Sequence, residues 1–168
     1  MDPPRPPTAT LAALLVFAAF ACSAENDRLG FISDSLGPAN AWRLTPSVLL
    51  HQCSQTFPES TKSMAEVFDA WSTKNQELIS LVERTVSKAA PIYAASLSIP
   101  EPEAREFIDA STTRLIIENY LQDERLSVRQ VCSDYKSIVV SLSTPGKAAV
   151  VRGHVYAVEA ALHPSTSR

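Results

Sequence analysis

The side chains able to do chemistry in this 168-residue chain are few and scattered: Cys22, Cys53 and Cys132, the histidines His51, His154 and His163, and carboxylates spread along its length. A metal centre needs its ligands on one side of the backbone. His51 and Cys53 stand two residues apart, and on a helix that spacing turns them about 200° from each other, so they cannot share an ion. No HExxH, CxxC or EF-hand pattern occurs, no metal site or cofactor is predicted, and His51 reads as a solvated side chain. Nucleophilic chemistry fares no better, because G-x-S-x-G is absent and no serine has a base beside it in the sequence. Carboxylate pairs for hydrolysis could arise from Glu66, Asp69, Glu77, Glu83, Glu103, Glu106 or Glu118, but only if the fold brings two together. The chemistry the pattern supports directly is a disulfide.

That reading depends on the compartment. Residues 9–21 carry no charge, Arg5 is the basic residue before them, and the apolar run Leu11 to Ala21 has the length of a secretory core. It is too short to cross a bilayer. Small-x-small cleavage patterns occur at Ala19-Phe20-Ala21 and at Cys22-Ser23-Ala24. Residues 1–24 therefore read as a signal peptide, and the mature chain as exported, periplasmic or extracellular, with no membrane span after its removal. Cleavage before Cys22 would place a lipid anchor there. Ala19 stands where bacterial lipoprotein signals carry a larger aliphatic residue, which makes that the weaker fit. Either cut leaves Cys53 and Cys132 as a pair in an oxidising environment, where a bridge of such long span stabilises by roughly 4 to 5 kcal/mol at most.

Charge and glycine placement narrow the class. With 15 basic and 18 acidic residues the net charge is −3, and the two signs interleave, so neither a nucleic-acid footprint nor an anionic-membrane patch emerges. The glycines are Gly30, Gly37, Gly146 and Gly153, with none between Gly37 and Gly146. Tight hairpins and phosphate-cradling loops both use glycine, so this long interval argues against β-meanders, Rossmann turns and P-loops. An all-α fold remains, a compact bundle of four to five helices with one inter-helix disulfide.

Along the chain, residues 25–44 show no sustained period and contain Gly30, Gly37 and Pro38, so they read as an extended lead-in. Thr45-Pro46 reads as a helix start, with Leu49, Leu50, Cys53 and Phe57 at helical spacing after it. Phe57-Pro58 ends that helix. The stripe Met64, Val67, Phe68, Trp71, Leu78, Leu81, Val82 and Val86 predicts a second helix ending near Ala90, before Pro91, with Asn75 as a polar residue inside the stripe. Pro102 opens a third with a broad apolar face including Phe107, Ile108, Leu115 and Ile116. Ser127 with Gln130 matches a capping box, followed by a regular stripe from Val128 to Leu142. After Thr144-Pro145-Gly146 the valines of 146–163 suit a fifth helix, with a strand as the alternative. The helical domain is 45–163 and residues 164–168 a flexible tail.

A chain of this kind can present a rigid surface and shows little means to catalyse. The expectation is an exported, non-catalytic helical protein that binds a protein or cell-envelope partner, with no nucleic acid, and Trp42, Tyr93 and Tyr156 as aromatic anchors lying outside the main stripes. Two other functions stay open: a hydrolase of envelope glycan or peptide whose carboxylates converge in the fold, and a carrier with an apolar cavity between helices.

Overall fold

Ile32, Leu36, Ala39, Trp42, Leu49 and Cys53 recur every three or four residues, with Pro46 occupying the step between Trp42 and Leu49, and all are buried. That row is the inner face of helix α1, Ala9–Thr56. The computed structural model describes the backbone of residues 9–122 and 127–163 and the side chains of 27–122 and 127–163. The tail 164–168, residues 1–8 and the side chain of Cys22 lie outside the described residues.

Residues 25–44, expected to be extended, are helical. The period runs through this segment but is carried by Ala39 and by a proline, which is why composition hid it. Neither Gly30 nor Gly37 takes a positive φ, and an added Cβ at either would meet nothing within 4 Å. Pro38 and Pro46 each remove one helical hydrogen bond, a cost of about 3 kcal/mol in an unsupported helix. Packing of α1 against all five other helices offsets it. Thr45 accordingly does not cap a helix start; its hydroxyl donates back to the Ala41 carbonyl at 2.7 Å.

Phe57, extended at φ −134 before Pro58, ends α1 as expected, and a short 3-10 turn at Pro58–Ser60 leads into α2, Thr61–Leu97. Pro91 does not stop α2. It is exposed inside the helix, which closes instead at Ser98, left-handed at φ 55 and ψ 42. Helix α3 spans Glu101–Leu121, with Pro102 and the acids Glu101 and Glu103 in its first turn. The helix expected over 128–142 is divided at Asp134, at φ −88 and ψ 2, into α4, Val128–Ser133, and α5, Tyr135–Leu142. Ser127 caps α4 by accepting from the Gln130 N–H at 3.1 Å. The last segment is a helix, α6, Pro145–Leu162, with Val151, Val155 and Val158 on its buried side. The fold is all-α, with six helices among the described residues.

Helices α1, α2, α3 and α6 surround one core, with α2 packing against the other three. Two polar devices set their register. The Arg28 guanidinium donates to the carbonyls of Ala161 and Leu162 at 2.9 and 3.0 Å, capping the end of α6 from α1. Asn40, fully buried on α1, donates to Asp109 at 2.9 Å and to Thr112 at 3.1 Å on α3, while its oxygen accepts from Arg43. Arg43 in turn donates to Asp109 at 2.6 Å and meets Glu83 of α2 at 3.4 Å. Every member has a partner, so a buried polar group that would be costly alone becomes a fixed three-helix joint.

Cys53 and Cys132 form a disulfide, Cα to Cα 5.5 Å, joining α1 to α4 across 79 residues. Replacing both by alanine lowers the unfolding free energy by about 2 to 4 kcal/mol, read from urea denaturation of oxidised wild type against the variant. A variant as stable as wild type contradicts the assignment of the bridge as a main constraint.

Candidate functional site

On α2, Val67, Ala70, Trp71 and Lys74 fall at helical spacing on one face, and on α5 Lys136, Val139 and Val140 do the same. These two faces border an open groove of about 440 Å³, closed at one end by the turn Ser143-Thr144-Pro145 leading into α6. The walls are mostly apolar. Val139 belongs to the core, whereas Val140 is 57% exposed on the outer side of α5, an apolar residue held in water on the bank of the groove.

The groove has a firm back. Trp71 packs against Trp42 with ring centroids 5.1 Å apart and against Phe68 at 6.3 Å. Trp42 donates its Nε1 proton to the Leu142 carbonyl at the end of α5 at 2.9 Å. Asn75, the polar residue of the α2 stripe, donates to the Trp71 carbonyl at 2.8 Å and to the Ser143 hydroxyl at 3.2 Å, tying the turn to α2. Tyr135 donates to the Pro46 carbonyl at 3.0 Å and fixes the start of α5 on α1. Trp71 differs from these. Its Nε1–H is the one buried side-chain polar atom without an acceptor among the described residues, a condition that costs about 1 to 3 kcal/mol.

Charge enters through Lys74 and Lys136. Both line the groove, neither has an acidic partner within 4.0 Å among the described residues, and no carboxylate lines it. Ion pairs elsewhere include Lys88–Glu159 at 2.7 Å and Arg114–Glu118 at 2.7 Å. A second, smaller groove of about 240 Å³ lies over α1 between α3 and α6, where Leu115 and Val150 are exposed on opposite banks.

The residues singled out in the sequence are placed apart. Trp42 is 5% exposed and belongs to the core, so it is not a surface anchor; its burial follows from its position in the α1 stripe, which an extended lead-in concealed. Tyr93 is half-buried, its hydroxyl 2.7 Å from that of Ser33, and burial pushes its pKa up. Tyr156 is 60% exposed on α6 and borders neither groove. Glu83 and Asp109 meet on Arg43, and neither is among the described residues lining the groove. His51 is exposed beside Gln55 while Cys53 is fully buried, the opposite orientations their spacing implies. Among the described residues no group of three or more His, Cys, Asp or Glu side chains gathers as for a metal. The groove itself was not anticipated. Its one advance signal is Lys74 directly following the Trp71 stripe position by three residues.

No family model, curated protein or solved structure matches the chain. The site is therefore known by its own geometry.

Burial, and secondarily the charge of Asp69, pushes the Tyr135 hydroxyl from 10.0 up to about 12. A phenol with a raised folded-state pKa keeps its full contribution below the unfolded value and loses it as pH rises through the folded one. Unfolding stability should fall between pH 10 and about 12 and, in Tyr135→Phe, fall less over that window from a starting point lower by about 1 kcal/mol. Urea midpoints measured across the window check this, and an unchanged slope in the variant contradicts it.

Proposed function

We propose that the protein is an exported helical domain that acts by binding a partner in the α2–α5 groove and does no catalysis. The observation that carries this reading is the groove itself: an apolar channel with exposed Val140 on its bank, two lysines without acidic partners among the described residues, and a rigid aromatic back. Its volume falls in the range of small-ligand sites, roughly 300 to 1,000 Å³.

Export rests on the sequence. Cleavage after Ala24 leaves Arg28, which caps α6, and the buried row from Ile32 onward in the mature chain. The Cys53–Cys132 bridge suits an oxidising compartment. Among the described residues no helix is long and apolar enough to cross a membrane. A lipid on Cys22 would tether the same domain without altering the groove.

Methyl spectra of valine-labelled protein, titrated with solubilised cell-envelope material from the producing cell, test the binding reading. Shifts are expected at Val67, Val139 and Val140, and their loss in Val140→Glu, a change at an exposed position that leaves the core intact. Shifts confined to Val150, or turnover of a glycan, peptide or ester by the purified protein, contradict it. Intact mass of the exported protein tests the other half: loss of residues 1–24 is expected, and a species retaining Met1 overturns the signal reading.

A further inference from the structure

We infer that the occupant of the α2–α5 groove is a small aliphatic carboxylate, a medium-chain fatty acid or its chemical equivalent; this rests on the groove being the binding site. Two features select that chemistry. The walls on the two banks are short aliphatic side chains, Val67, Ala70, Val139 and Val140, which suit a slender flexible chain. Lys74 from α2 and Lys136 from α5 border the channel with no carboxylate among its described lining residues, so the polar end of the occupant is an anion.

The same features argue against other occupants. A doubly charged phosphate loses more hydration on entering an apolar channel than a singly charged carboxylate, since the cost of removing an ion from water rises steeply with its charge. A partner protein needs on the order of 800 Å² of surface per side for a stable complex. This groove matches instead the scale of a ligand of few heavy atoms. A neutral lipid or alcohol would leave both lysines without a counter-charge.

Trp71 reports on its own occupancy. Titration of the oxidised protein with octanoate, followed by tryptophan emission and by calorimetry, is expected to give saturable one-to-one binding. Octanol, with the same chain and no charge, is expected to bind about tenfold more weakly or worse. Lys74→Met and Lys136→Met should each weaken octanoate by about three- to fivefold, as for exposed ion pairs, and leave octanol unchanged. Both lysines sit at solvent-facing positions, so these variants stay folded, which far-UV circular dichroism verifies. The inference is overturned if octanoate fails to saturate, if octanol binds equally well, or if the lysine variants are indistinguishable from wild type. Envelope material that still shifts the groove valines after octanoate has failed would identify the ligand class, and not the groove, as the error. Groove shifts given only by an acidic helical peptide would likewise overturn the carboxylate in favour of a protein partner.

Discussion

The covalent link between Cys53 and Cys132 is the constraint on which the α2–α5 groove depends. Helices α4 and α5 together run only from Val128 to Leu142, too short to be stable alone. The bridge fixes the first of them on α1, and from that anchor Tyr135 reaches the Pro46 carbonyl and the end of α5 meets Trp42. Three attachments within eleven residues hold α5 in place beside α2. A groove bounded by one long helix and one tethered short helix is the result. Were α5 packed as a full-length bundle helix, the channel between Val67 and Val140 would be filled by side chains.

The main bundle is specified differently. Its apolar surface would let helices slide, and the buried amide of Asn40 makes most slides costly because Asp109, Thr112 and Arg43 must all keep their partners. The prolines of α1 show the balance from the other side. Pro38 and Pro46 weaken the helix locally, yet the carbonyl of Pro46 is the acceptor Tyr135 uses.

Much of this was legible in the chain. The Gly-free interval and the three- and four-residue spacings of Met64 to Val86 and Val151 to Val158 lead directly to helices, and parity with inward-facing positions leads to the Cys53–Cys132 bridge. What escaped notice has physical causes. The period of α1 passes through Ala39 and Pro46, residues that do not read as a core stripe, so 25–44 reads as extended and Trp42 as lying outside the main stripes. Pro91 sits at an exposed position where α2 tolerates the lost hydrogen bond, so the helix runs past it. The groove depends on the distance between α2 and α5, a tertiary quantity with no local signature, and on Phe107, Leu115 and Val140 the same limit acts in reverse: apolar spacing alone does not say which side finds a neighbour. The convergence of Glu83 and Asp109 on Arg43 is likewise a property of the fold rather than of any motif.

The central claim is that a small apolar anion lies between α2 and α5. Intermolecular nuclear Overhauser effects between octanoate protons and the protein address it atom by atom, independently of affinity. The account predicts contacts from the aliphatic chain to the methyls of Val67, Val139 and Val140 and from the carboxylate end to the Lys74 and Lys136 side chains. Contacts instead to Leu115 and Val150 in the α1–α3–α6 groove, or none at saturating octanoate, would contradict it.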